Sequence, residues 1–497
     1  MKLFDTIILQ TLSRNGELVT RTLVKNATIV SVDDAVGVID RGDLLIEDGI
    51  IVLIGADLNE PADELVDALD FIVIPGLVNA HIHLWQTAVR GLGVNWTGVE
   101  FHLHVQSDFV PAYTPEDIRL SEYVGAMSLI DGGTTSVLEW CHGNRTPEHS
   151  DAAIDGLLAA GIRGLFAHGT VKTLPTAGEP HFSQVPHPRP EATRLRERFG
   201  ANDGRLRFGI GILGPDYSPI EVCRQDFQLA RDLDVISTAH VSGHPGKVPR
   251  GYHQIAEEGL LQPLHNVVHA NSMDDDQLRV LIDHGATATA TPTGEVRGGA
   301  REPLIRRVIE LGGRPSIGTD SEQSVAGDML SATRDALTVQ RLFNNLTAAE
   351  TADPTKARAS TNMVKRGMDV PPRRTPTTYD ALRWATLDSA AALGIDHEVG
   401  SISVGKRADL VMIRKSDINL VPALNPVDSV VGFAHAGNVD SVMIDGEFVK
   451  RNGQLVQHRA AKDAATRMRD NGAALLHRLG LDGLKDSAYG DAFSRHA

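Results

Sequence analysis

Between Phe71 and about Asp320 the sequence repeats one texture: a short apolar run, a turn, then a stretch with helical spacing. Apolar runs at Phe71–Ile74, Thr134–Glu139, Arg163–Ala167, Leu206–Leu213, Val235–Ala239, Asn266–Val268, Thr287–Thr291 and Pro315–Ile317 read as strands. Most successive starts lie ~20–45 residues apart, as a strand plus a crossover helix requires. Helical periods fall between them at Pro115–Ile130, Ser150–Ala160, Pro219–Leu233, Asp274–His284 and Glu302–Leu311, with Ser218 as an N-cap and Pro219 at the first helical position. Eight such units read as a (β/α)8 barrel rather than an open doubly wound sheet.

Both flanks read as β structure. Thr6–Gln10 and Glu17–Thr20 flank Asn15-Gly16, a hairpin signal, and Thr22–Val32, Asp43–Glu47 and Ile50–Ile54 follow, the last two joined by Asp48-Gly49. After about residue 400 the texture returns at Gly400–Val404, Asp409–Ile413, Ser441–Ile444 and Glu447–Val449. The expectation is a β module split between the chain ends: residues 1–75, a barrel over 76–399, the second β part over 400–459 and a helical tail over 460–497. In the tail Met468, Leu475, Leu476 and Leu479 recur at helical spacing, to pack on this chain or on a neighbouring subunit. The Pro/Arg cluster Pro371–Pro376 reads as a loop.

Composition narrows the function. With 42% hydrophobic and 23% charged residues the chain is ordinary globular material. A net charge of −16 argues against a nucleic-acid or anionic-membrane partner. Two cysteines, Cys141 and Cys223, cannot build a disulfide framework or a thiolate zinc site, and they suit a reducing cytoplasm. No apolar run approaches the ~18 residues of a membrane helix, and the first residues lack a signal-peptide core. A cytoplasmic, soluble protein is expected.

Twenty histidines are present, and their placement is informative. In His81-Ile82-His83, two imidazoles leave an extended strand on one side, although an isolated H-x-H is more often core or surface. His240, His269 and Asp320 stand at the ends of three later predicted strands, and in a barrel those ends converge on the face where active sites are built. Imidazoles with one carboxylate suit a single divalent metal, zinc above all or iron, with a position left open for water. The Gly209-Ile210-Gly211-Ile212-Leu213-Gly214 run matches a dinucleotide fingerprint only literally, because its glycines lie inside a strand.

These residues resemble the amidohydrolase superfamily, in its chlorohydrolase/aminohydrolase branch of triazine hydrolases and cytosine-deaminase-like enzymes. The likeness rests on Pro75-Gly76-Leu77-Val78-Asn79-Ala80-His81-Ile82-His83, Thr238-Ala239-His240, Val268-His269-Ala270, Ile317-Gly318-Thr319-Asp320-Ser321 and the closing run Gly400–Val411. The resemblance implies a distorted barrel with a flanking β-sandwich from both chain ends and a homo-oligomer. It also implies a metal held by His81, His83, His240 and Asp320, with Asp320 taking the proton of the attacking water. His269 would polarise the bond under attack. The fourth strand, Leu206–Leu213, offers no lysine or glutamate to bridge a second metal.

One departure matters. Many deaminases of this branch carry a glutamate three residues after the strand-five histidine, to protonate a ring nitrogen, and here that position is Gly243. His244 and Glu295 are candidate replacements, and Gln86, His142 and Trp85 are candidate substrate contacts beside Arg90, Trp96, His102, His104, Trp140 and His168. The expected function is metal-dependent hydrolysis of a non-peptide C–N bond (amide, urea, carbamate or amine) in a small molecule. The alternatives are deamination or dechlorination of an N-heterocycle and, from another class, a non-catalytic scaffold relative.

Overall fold

The computed structural model describes residues 20–173, 175, 177–241, 246–300, 302–350 and 376–481. The hairpin expected around Asn15-Gly16, most of the Pro371–Pro376 loop, and Gly243 and His244 lie outside the described residues. The strands are β1 (Arg21–Val30), β2 (Val38–Glu47), β3 (Ile50–Gly55), β4 (Glu64–Asp67), β5 (Phe71–Pro75), β6 (Leu77–His83), β7 (Thr134–Cys141), β8 (Arg163–Gly169), β9 (Leu206–Ile212), β10 (Ser237–Val241), β11 (His265–His269), β12 (Thr287–Ala290), β13 (Pro315–Ile317), β14 (Asp320–Ser321), β15 (Leu410–Arg414), β16 (Val439–Ile444), β17 (Glu447–Arg451) and β18 (Gln454–Leu455).

Strands β6 to β14 form the parallel barrel, in the order β13-β12-β11-β10-β9-β8-β7-β6-β14. The eighth strand is broken. β13 pairs with β12, while β14 pairs with β6, matching Asp320 to Ile82 and Ser321 to His83. The changeover takes two residues: Gly318 N–H donates to the Ala290 carbonyl of β12, and Thr319 N–H to the His81 carbonyl of β6. Helices α1 (Pro115–Asp131), α2 (Pro147–Ala160), α3 (Arg189–Arg198), α4 (Ile220–Leu233) and α5 (Gly251–Glu257) lie between the earlier barrel strands. The burial of every residue of β6, β7 and β8 is that of parallel strands covered on both faces.

Both chain ends contribute to a second, mixed sheet, in the order β18-β17-β16-β15-β5-β1-β2-β3 with β4 beside β1. Its alternation is legible in β15: Leu410 and Met412 enter the module's own core with Val24, Ile29 and Leu44, while Val411 and Ile413 face the barrel core. The tail helix α6 (His458–Arg478) buries Met468 and Leu475 and packs on α1 of its own chain, where Arg478 pairs with Asp117 and the Tyr123 hydroxyl meets Gln457. No helix among the described residues is long and apolar enough to cross a membrane.

Three sequence expectations need correction. The apolar run Phe71–Ile74 is not the first barrel strand: it pairs with β15 and β1, and barrel strand one is Leu77–His83. Pro75-Gly76 separates the two, with Gly76 N–H donating to the Asp409 carbonyl; a Cβ on Gly76 would lie within 2.7 Å of the Thr135 side chain. Gly400–Val404 forms no strand, since Gly400 takes a left-handed turn (φ 86°) against Leu387. Helix α4 begins at Ile220, because Pro219 is extended (ψ 158°) and serves as N-cap in place of Ser218.

Candidate metal centre and cavity

Strand β6 delivers His81 and His83 to the barrel mouth, and Asn79 fixes them against strand eight. Its Nδ2 donates to Thr319 Oγ1 at 2.7 Å, and its Oδ1 accepts from the backbone N–H of His81 and of Thr319, each at 3.3 Å. Gly318 allows this approach: a Cβ there would stand 2.5 Å from the His81 carbonyl oxygen and 2.7 Å from its nitrogen. Gly318→Ala is therefore expected to cost about 1–3 kcal/mol, as overpacking against fixed backbone does. It should also weaken metal binding by displacing His81. Denaturation and a zinc titration check both effects, and an unchanged variant would contradict the close approach.

Below the mouth, Trp140 of β7 fills the barrel interior, its ring 3.8 Å from that of His240 and 5.6 Å from that of His81. Gly169 and Gly211 leave room for it: a Cβ on either would reach within 2.4 and 2.3 Å of the indole nitrogen. Here is the physical reason for one glycine of the G-x-G-x-x-G run, and it is packing rather than phosphate binding.

His81, His240, His269 and Asp320 each offer one ligand atom, and these atoms all lie within 4.8 Å of one another. His83 stands beside them. Its Nδ1 lies 2.6 Å from the Trp140 carbonyl, so that nitrogen carries the proton, and its Nε2 faces Asp320 Oδ1 at 3.4 Å. His81 Nε2 is 3.3 Å from the same oxygen. Among the described residues, neither ring nitrogen of His81 nor Nδ1 of His240 has a hydrogen-bond partner. Burial holds His81 at about 3 and His240 well below the ordinary histidine range, so both keep lone pairs at neutral pH. Burial alone would raise the Asp320 carboxyl, but its contacts with His81 and His83 hold it well below the ordinary range. Neutral imidazole nitrogens aimed at a carboxylate are a donor set for a divalent cation.

The backbone is strained at the same place. His269, Ala270 and Asp320 have φ of 72°, 48° and 63°, in the left-handed region. Such residues cost about 1–3 kcal/mol each unless their surroundings hold them. Here Ala270 N–H is tied to the Val241 carbonyl and Asp320 is paired to β6.

A cavity of about 840 Å³ opens above the cluster, lined by Trp96, His102, His142 and Glu295 among the expected contacts. His142 stacks on His83 at 4.5 Å, with Nε2 3.0 Å from Gln106 Nε2. Glu295 reaches His269 instead of pairing with Arg297. Its Oε1 accepts from Thr291 N–H at 2.7 Å and lies 3.6 Å from His269 Nδ1, and its Oε2 accepts from Asn271 Nδ2 at 3.1 Å. Burial pulls the His269 imidazole down, but Glu295 and Asp320 turn the net shift upward.

Trp85 and Gln86 do not line this cavity. The chain after His83 coils into a 3-10 turn, Leu84–Val89, which packs back on α1 and buries both side chains, Trp85 against Tyr113 and His142. Trp140 is a strand residue, His104 pairs with Asp108, and His168 hydrogen-bonds His187 at 3.0 Å instead of facing the mouth. Sequence reasoning missed Lys172, Gln106 and Tyr217, all on the cavity wall. The one signal for Lys172 was its place just beyond β8, on the face where barrel loops gather.

The amidohydrolase family model matches residues 72–449. The chain belongs to the amidohydrolase family. This amidohydrolase is 26% identical over 440 residues to 5-methylthioadenosine/S-adenosylhomocysteine deaminase of Thermococcus kodakarensis, covering 86% of this chain and 93% of that one. It is 28% identical over 436 residues to 5'-deoxyadenosine deaminase of Methanothermobacter thermautotrophicus, covering 84% and 91%. Among solved structures it superposes on an adenosine deaminase from Xanthomonas campestris with bound zinc (TM-score 0.74, 21% identity, 92% of this chain and 99% of that one). It also superposes on a variant atrazine chlorohydrolase from Arthrobacter aurescens complexed with zinc and atraton (TM-score 0.76, 20% identity, 92% and 100%). The fold expected from the sequence is thus borne out, and the chain is a hydrolase of carbon–nitrogen bonds other than peptide bonds.

Proposed function

We propose that this amidohydrolase holds one zinc ion through His81, His83, His240 and Asp320, with His269 beside it, and removes an amino group as ammonia from a small planar nitrogen heterocycle. The observation that carries the reading is the meeting of His81, His240, His269 and Asp320 within 4.8 Å at the floor of a large cavity. Bound there, a divalent cation supplies the Lewis acidity that makes water acidic enough to attack near neutral pH.

The chain's own residues do the rest. Asp320, a carboxylate facing the cluster, accepts the proton of the attacking water. His269 donates a hydrogen bond to the heteroatom of the bond under attack, its ring held through Nδ1 by Thr291 Oγ1 at 3.0 Å and by Glu295. The rings of Trp96, His102, Tyr217 and His142 on the cavity wall suit a flat substrate. Deaminase chemistry is supported by the curated relatives, which are named for deamination of adenine nucleosides.

A second reading, hydrolysis of an acyclic amide, urea or carbamate, is favoured by the sequence, which has Gly243 and not a glutamate three residues after His240. We also place the protein in the cytoplasm as a homo-oligomer. Its two cysteines are buried free thiols, in keeping with a reducing compartment. A panel assay on zinc-loaded protein separates the two substrate readings. Ammonia from aminopurines, aminopyrimidines or aminotriazines is the expected result, and amine release from amides, ureas or carbamates alone would transfer the assignment to the second.

A further inference from the structure

We propose that Lys172 anchors a carboxylate-binding subsite in the cavity, so that the C–N bond is presented by a substrate bearing one carboxylate. The inference deepens the hydrolase reading above and rests on it.

Lys172 is only 6% exposed, yet it lines the cavity. Among the described residues no carboxylate, hydroxyl or carbonyl oxygen pairs with its ammonium, which lies over the ring of Tyr217, 4.7 Å from its centre. A ring face does not satisfy three N–H donors. The other charges on this wall are engaged. Arg297 donates to the carbonyls of Gly93, Val94 and Ser324, Glu302 pairs with Arg306, and Glu295 accepts from Thr291 and Asn271. Asp320 helps sustain the Lys172 charge but is in contact with His81 and His83. Burial pushes the ammonium down to about 8, which leaves it cationic at neutral pH. A buried cation without a counter-ion is destabilising, and it is kept where a ligand supplies the charge.

The geometry points to a carboxylate rather than a phosphate. Phosphate is met by several donors or a bidentate guanidinium, and here, among the described residues, Lys172 is the one unpaired cation on the cavity wall. The second donor is His142. Gln106 Nε2 can only donate, so His142 Nε2 accepts from it and the neutral ring carries its proton on Nδ1, a buried atom with no partner among the described residues. His142 lies in the same cavity and within the field of Lys172. One cation and one neutral N–H match a single negative charge spread over two oxygens.

Calorimetric titration of the zinc-loaded full chain with nicotinate against nicotinamide, and benzoate against benzamide, tests this. Each carboxylate should bind about tenfold more tightly than its amide. Lys172→Met should abolish that preference, and Lys172→Arg should keep it. Equal affinities in the parent, no binding of either pair, or a preference unchanged in Lys172→Met would overturn the proposal. The thermal midpoint of Lys172→Met should equal or exceed the parent's, because an unpaired charge is removed. A fall of more than about 5 °C would show the ammonium paired within the fold and sink the idea. Repeating the titrations without zinc separates the two readings. A preference lost with zinc but kept in Lys172→Met assigns the carboxylate to the metal and overturns the subsite. A protein that takes up no zinc yet shows the Lys172-dependent preference overturns the metal reading alone.

Discussion

Asp320→Asn is expected to lose bound zinc and to lower turnover by about 10³-fold or more, with the barrel still folded. The substitution removes the carboxylate of the cluster, and with it the oxygen 3.3 Å from His81 and 3.4 Å from His83. Loss of a proton acceptor alone costs about 10²–10⁴-fold, and the lost ligand adds to it. The fold should survive because asparagine tolerates the left-handed conformation of residue 320 (φ 63°) better than most residues. The backbone pairing of β14 with β6 also needs no side chain. Metal analysis with circular dichroism checks the expectation. Undiminished occupancy in a folded variant would refute the ligand assignment.

The second large effect lies far from the chemistry. Arg163, at the start of β8 and almost fully buried, joins the barrel to the β module. Its Nε meets Asp409 Oδ2 at 2.8 Å, its Nη2 meets Asp409 Oδ1 at 3.1 Å, and it also pairs with Asp445. Arg205 and Arg407 complete the group on Asp445 at 2.7 and 3.0 Å. Arg163→Ala should cost about 3–5 kcal/mol, because it leaves the Asp409 carboxylate buried without its cation. Replacing Arg163 and Asp409 together by apolar residues of similar size should recover most of that loss. Urea unfolding of the three proteins measures it, and a single variant within about 0.5 kcal/mol of the parent would contradict the clamp. Burial raises the Asp445 carboxyl, but Arg163 and Arg205 bring it below the ordinary range. Its share of the stability is therefore present above the ordinary carboxylate pKa of ~3.9 and is lost as pH falls through the lowered folded value.

The sequence exposed the candidate metal centre more clearly than the cavity around it. His81, His83, His240, His269 and Asp320 were legible because each is chemically conspicuous and stands where a barrel strand ends. One fold-level inference therefore brings all of them together. Trp85 and Gln86 follow His83 just as directly, but their direction depends on a short coil turning inward toward α1, which is decided by packing and not by local pattern. Lys172 stands just beyond β8 but does not stand out for the same reason: a lysine in a loop is ordinarily solvated, and only the surrounding walls make this one a buried cation. Phe71–Ile74 and Leu77–His83 are apolar runs of similar character separated only by Pro75-Gly76, and only their partners across the sheets tell module from barrel. The fate of Gly243 and His244 lies outside the described residues.

The broken eighth strand bears on how the protein would acquire the proposed metal ion. Asp320 belongs to the half that grips β6, so acid and imidazoles become neighbours only when the sheet has cyclised. The seam of the ring and the proposed seat of the ion are thus one place. An ion that binds only the cyclised state favours it by mass action, so ample zinc should act as a fastener, and the first parting of that seam should release the ion before the rest of the molecule comes undone.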